Sequence, residues 1–307
     1  MCGLTGVILG QQSRSKDECK KISDGFESML MEADARGGDA TGFAIIDKHG
    51  DYAICKRPLE AFSFLMNSEV QENIDLFYDD VTCLMGHTRF ATKGHPSINK
   101  NNHPIRAGKT IGTHNGSIHN HKELFKKFKM NRYAQVDSEA IFRLYETSEN
   151  AKDFADNRLT KVRGKVAIVW ADLEFPDYVY IVKANNPFKM AFVPSLNIYI
   201  YGSLTEIIDK ASLGKYELVD VKPDTMLRIN TKTMKIRSRK FSIEKPVWKQ
   251  AYGNYDSSIG AYVDKPVKKF KFQNTVSAFV PRYSHSDQMK LFKRHTASDG
   301  STIKKIK

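Results

Sequence analysis

Hydrophobic positions along this chain fall mainly into short blocks and two-residue alternations, the signature of strands, with helical spacing confined to a few stretches. CGLTGVIL, TGFAIID, YAICK, VTCLMGHTRF, VAIVWAD, YVYIVKA, NIYIYG and TMLRIN each predict a strand. Helices are predicted at ECKKISDGFESMLMEA, HKELFKKFKM and DSEAIFRLYETS, the last opening on acidic residues that suit the positive end of a helix dipole. The strands come in adjacent pairs with helices between the groups. That order predicts an α+β layered domain with antiparallel sheets and argues against a βαβ nucleotide fold. Beyond about Ile236 no period is sustained, which predicts a folded domain over residues 1–236 and a basic, flexible extension over 237–307 with a short docking segment near VSAFVPRY.

Composition sharpens this division. The 307 residues are 41% hydrophobic, enough to bury a large core. The net charge of +13 is unevenly placed: from Arg237 onward there are 16 basic and 5 acidic residues, against 32 and 30 before it. Basicity therefore belongs to the extension. No run approaches the roughly 20 apolar residues of a membrane span, and no basic segment precedes the opening apolar run, so a cytoplasmic protein is expected. Cys2, Cys19, Cys55 and Cys83 lack CxxC spacing, and free thiols are the simplest account of them.

Candidate chemistry begins at MCGLTGV. Cys2 can be a buried small hydrophobe at the start of a strand. Trimming of Met1 would give it a second character, because one residue then carries a thiol nucleophile and an α-amino base with an unperturbed pKa of roughly 7.7 to 8.0. Three more stretches bear on the choice. In GHTRFATKGHP, Arg89 is either a surface cation or, among Thr88, Thr92 and Gly94, a bidentate carboxylate ligand. In THNGSIHN, Asn115-Gly116 is a hairpin-turn signal and equally an amide beside an unshielded N–H, as an oxyanion hole requires. In VDSEAIF, Asp137 suits a helix N-cap or the binding of an ammonium group.

Taken in order, MCGLTGV, RGGDATGFAI, GHTRFATKG, NNHP, THNGSIHN, VDSEAI and RGKVAIVWAD resemble the class II glutamine amidotransferase domain of the N-terminal-nucleophile hydrolases, with weaker echoes in KANNPFKMAF and IYGSLTEII. The resemblance implies a four-layer αββα sandwich. It further implies that Cys2, freed of Met1, attacks a glutamine carboxamide while its α-amino group relays the proton. Asn115 and the Gly116 N–H would hold the oxyanion, Arg89 the substrate α-carboxylate with help from Thr92, and Asp137 the α-ammonium. Gly37 and Asp39 would support the nucleophile. His87, His103 and His114 match family positions, and packed or hydrogen-bonded roles are expected for them. Neither metal nor cofactor is implied.

Two departures matter. Phe90 and Lys93 stand where the family often has tryptophan and histidine, which bears on substrate preference. No synthase pattern follows the glutaminase-like body. The expected function is therefore glutamine hydrolysis supplying ammonia to a separate synthase partner. One alternative is a self-contained amidase acting on a γ-glutamyl or related amide. Another is a nucleic-acid binder using Phe270, Phe272, Phe279 and Tyr283 among the lysines of the extension.

Overall fold

A computed structural model describes residues 2–74, 80–243, 255–256 and 261–262. In chain order the main elements are β1 (Gly3–Leu9), α1 (Lys16–Ala33), β2 (Ala40–Asp47), β3 (Tyr52–Arg57), α2 (Ala61–Leu65), α3 (Ser68–Ile74) and β4 (Val81–Arg89). There follow β5 (Ile105–Ala107), β6 (Thr110–Ile118), α4 (His121–Lys127), α5 (Glu139–Glu146), α6 (Ala151–Asp153), β7 (Gly164–Asp172), β8 (Tyr178–Lys183) and β9 (Lys189–Val193). The rest are β10 (Ile198–Gly202), α7 (Thr205–Asp209), β11 (Glu217–Val219), β12 (Thr225–Asn230) and β13 (Ile236–Lys240).

The strands form two antiparallel sheets. One has the order β11-β9-β10-β1-β4-β2-β3, the other β13-β12-β8-β7-β6-β5. Three apolar clusters show how they stack. Leu4, Ile8, Met85, Ile111, Val169, Ile181 and Tyr201 fill the space between the sheets. Phe26, Met29 and Leu30 of α1 pack with Val7, Phe43 and Ile200 on the outer face of the first sheet. Ile141, Phe142 and Tyr145 of α5 pack with Trp170 and Tyr180 on the outer face of the second. The domain is a four-layer αββα sandwich.

Local signals explain the best-predicted elements. Ser15 and Glu18 form a capping box at the start of α1, each side chain accepting from the other's backbone N–H. The helix then buries Cys19, Ile22, Phe26, Met29, Leu30 and Ala33 along one face. Asn115-Gly116 is the clearest difference from the sequence reading: it lies inside β6, opposite Ala167 and Val166 of β7, and makes no hairpin turn. Asp137 does not cap α5. Its carboxylate turns away from the helix and accepts a hydrogen bond from Ile118 N at 2.5 Å, while Ser138 occupies the cap position.

The chain near residue 236 continues the second sheet. β13 pairs with β12 from Ile236 to Lys240, and Phe241 and Ile243 are buried in the outer core. A separate unit spans Pro246–Gly300, in which Tyr255–Asp256 pairs with Ala261–Tyr262. The docking segment near VSAFVPRY and the aromatic residues Phe270, Phe272, Phe279 and Tyr283 lie outside the described residues. Among the described residues no helix is long and apolar enough to cross a membrane.

Candidate active site

Cys2 immediately precedes β1, and the end of β4 meets it. Register sets this up, because Gly3 pairs with Thr88 and the next residues of β4 must then pass the cysteine. The half-buried thiol lies 3.6 Å from Phe90 O as donor and accepts from Phe90 N at 3.4 Å. Burial raises its pKa above the ordinary thiol value. The Phe90 N–H and the Arg89 cation oppose that rise, and the Asp137 carboxylate adds to it. Arg89 and Asp137 thus both act electrostatically on the same sulfur.

The Arg89–Phe90 segment is clamped from the side. Asp39 N donates to Arg89 O, and the Asp39 carboxylate accepts from Ala91 N at 2.8 Å. Gly37 makes room for the clamp: a Cβ at this residue would lie 2.5 Å from the backbone of Arg89 and Phe90. From the same loop, Arg36 Nε donates to Cys2 O at 3.1 Å. Phe90 itself leaves its ring 53% exposed while both of its backbone polar groups face the thiol.

Arg89 is buried, and three of its five N–H groups are already in use. Nη1 donates to Asn102 Oδ1 at 2.8 Å, and Nη2 donates to Lys93 O and Gly94 O at 2.6 and 2.7 Å. Arg89 therefore holds the 93–94 turn with Nη2 and Asn102 with Nη1. Asn102 is the hub beneath it, donating to Pro96 O and accepting from Arg89. Lys56 Nζ donates to Asn102 O and Pro104 O, and burial lowers its pKa to about 8. Thr92 stands exposed on the same turn.

Asn115 is buried on β6 and belongs to a chain of contacts that joins the two sheets. Its Nδ2 lies 3.5 Å from Ser203 Oγ, and that hydroxyl accepts from Leu4 N at 2.9 Å, two residues from Cys2. Asn186 Nδ2 donates to Asn115 O at 2.7 Å, fixing the strand from the other side. An amide NH2 has two donors, so the Ser203 contact leaves one for a ligand. Gly116 has φ +149, and a Cβ there would fall 1.8 Å from Lys165 O. Only glycine suits this place.

The three matched histidines are buried and structural in their contacts. His87 stacks on His103 at 4.2 Å and donates from Nε2 to His114 O. Burial pushes His87 down to about 3 and lowers His103 and His114 as well, so all three are neutral at pH 7. His114 Nε2 faces Lys165 O and must donate to it, which leaves Nδ1 to accept from Ser138 Oγ at 2.8 Å. Among the described residues no group of three His, Cys, Asp or Glu side chains is arranged to hold a metal.

Comparison with known proteins follows the same lines. No family profile matches the chain. It is 24% identical over 266 residues to 7-cyano-7-deazaguanine synthase of Sulfolobus acidocaldarius, a match covering 85% of this chain and 55% of that protein. It is 29% identical over 213 residues to the isomerizing glutamine–fructose-6-phosphate aminotransferase of Encephalitozoon cuniculi, covering 64% of this chain and 30% of the other. Its fold superposes on glutamine phosphoribosylpyrophosphate amidotransferase from B. subtilis, complexed with ADP and GMP, with a TM-score of 0.59 and 21% identity over 79% of this chain and 50% of that one. The likeness to these proteins in sequence and in fold runs over most of this chain. It spans about half the length, or less, of the curated relatives it matches.

Within this domain the structure brings Cys2, Arg89 and Asp137 into one electrostatic neighbourhood and ties Asn115 to the strand that follows Cys2. Sequence reasoning passed over Arg36, Asn102 and Ser203 as individual residues. All three lie in the stretches RGGDATG, NNHP and IYGSLTEII, so the signal was the motif and the missing information was which member points inward. Lys56 had no such signal. It sits on a strand recognised only by its apolar alternation.

Proposed function

We propose that this domain hydrolyses a carboxamide of the glutamine type through Cys2 and delivers the ammonia to an acceptor on a separate synthase chain. The observation that carries the reading is the convergence on Cys2: its sulfur is gripped by the Phe90 backbone beside Arg89 and Asp137, and the Ser203 contact ties its strand to Asn115. His87, His103 and His114 are buried and neutral, and the hydrogen bonds of the Cys2 sulfur go to the Phe90 backbone and not to an imidazole, so a base is best supplied by the cysteine's own α-amino group once Met1 is removed. In that reading the thiol attacks the carboxamide carbon and its proton passes to the amine. The oxyanion is held by Asn115 Nδ2 and the Gly116 N–H.

Collapse breaks the C–N bond, the leaving nitrogen takes the proton as ammonia departs, and an acyl thioester remains on Cys2. Water then attacks the thioester, releasing the carboxylate product and restoring the thiol. The relatives named as a synthase and an aminotransferase are longer than this chain, which supports an acceptor site outside its amidotransferase domain. Four free cysteines fit a reducing, cytoplasmic setting.

Ammonia release from L-glutamine by protein whose intact mass shows loss of Met1 tests the chemistry. Cys2→Ala is expected to abolish release and also labelling by an electrophilic glutamine analogue. Undiminished release from Cys2→Ala would overturn the assignment of the nucleophile.

A further inference from the structure

Lys93 occupies the ground between the two residues assigned to an amino-acid substrate's charged ends. Its backbone carbonyl accepts from Arg89 Nη2 at 2.6 Å, and its ammonium lies 3.5 Å from Asp137 Oδ2. One residue of the chain thereby offers an oxygen to the guanidinium and a cation to the carboxylate, the two poles that a zwitterionic amino acid would present. The placement is built. Asn101 Nδ2 ties His95 O to Gln135 Oε1, Asn102 Nδ2 donates to Pro96 O, and Gln135 N donates to Asn101 Oδ1, so the turn is fixed to the segment leading into Asp137. The Asp137 side chain is almost fully buried, and the Lys93 side chain is 40% exposed.

We propose that Lys93 determines specificity by supplying, from within the chain, the cation that Asp137 would otherwise take from a substrate. The site then prefers a carboxamide bearing one carboxylate and no free α-ammonium group, such as 5-amino-5-oxopentanoate, over glutamine. Charge balance supports the choice. Arg89 and Asp137 together complement a neutral zwitterion, whereas Arg89, Asp137 and Lys93 together carry one net positive charge and complement a monoanion. An incoming α-ammonium would have to displace Lys93 or approach it as a like charge. Arg89 still has one N–H on Nε and one on Nη1 without a partner among the described residues, and either can donate singly to a carboxylate.

This inference rests on the Cys2 amide-hydrolysis reading, and the experiment separates the two. Ammonia release from L-glutamine and from 5-amino-5-oxopentanoate is measured for the Met1-processed wild type, Lys93→Met, Lys93→His and Lys93→Arg, resolving kcat and KM. The wild type is expected to favour 5-amino-5-oxopentanoate by about tenfold or more in kcat/KM. Lys93→Met and Lys93→His should move the ratio toward glutamine by at least about tenfold, chiefly through KM, while Lys93→Arg keeps the wild-type ratio. Because the readout is a ratio, a general loss of thiol reactivity cancels.

A wild-type preference for glutamine, or a ratio unmoved in both Lys93→Met and Lys93→His, overturns the role of Lys93 and leaves the Cys2 chemistry standing. Failure of every protein on both amides, with Cys2 unlabelled by an electrophilic analogue, overturns both.

Discussion

Burial acts differently on the thiols and on the imidazoles. Cys55 is pushed up to about 11, chiefly by burial with Arg57 opposing, and Cys83 higher still by burial alone, so both are held as protonated thiols at neutral pH. Cys2 is also raised by burial, yet of these three it has a backbone N–H, that of Phe90, working beside an arginine against the rise. For His87, His103 and His114 burial lowers the folded pKa below the roughly 6.5 of an unfolded chain. The sign follows: as pH falls below about 6.5 the unfolded state binds protons that the folded state refuses, so stability is complete above that pH and is lost progressively toward pH 3. His87 contributes up to about 1.4 kcal/mol per pH unit across this window, and His103 and His114 act in the same direction. Urea midpoints at pH 7.5, 6.0 and 5.0 should fall in the acidic steps, and a flat profile would mean that these rings find solvent or a counter-ion on protonation.

Elements here are anchored by carboxylates that reach across to another segment's backbone. Asp137 accepts from Ile118 N at the end of β6, and Glu139, buried in the first turn of α5, accepts from Tyr133 N and Ala134 N and from Arg143 Nε. Removing Glu139 strips several buried donors of their acceptor, so Glu139→Ala should cost about 3 kcal/mol in a denaturant titration. A loss below about 1 kcal/mol would show that water replaces the carboxylate. The same contacts explain what could be read in advance. α1 was legible because its capping box and apolar face are local features of sequence. β6 was not, because His114 and Asn115 are buried polar residues whose partners come from β4, the cap of α5 and the 203 turn. The cap reading of Asp137 fails because its carboxylate is taken by Ile118 N, a partner that nothing near it in sequence reveals.

At the scale of the whole molecule, the described domain closes with β13, Phe241 and Ile243. A chain ending after residue 236 lacks that strand, the Arg239–Asp156 ion pair and two buried side chains, and should lose about 4 kcal/mol relative to one ending after Lys245. Thermal melts of the two truncations check this, and equal melting temperatures would place the domain's end before β13. The order of motifs was readable along most of this body, whereas the division at 236 was not, because IRSRK looks like the start of a basic extension and pairs as an edge strand only once β12 is beside it. The contact from Leu4 through Ser203 to Asn115 adds a different consequence, since it makes the spacing of the sheets a dimension of the site. Substitutions in the core between the sheets are then not free choices of volume. On the proposed chemistry, a variant that keeps its fold while parting the layers would shift Asn115 relative to the strand that follows Cys2, so tolerance to repacking should be narrower between the sheets than beneath either outer helix layer.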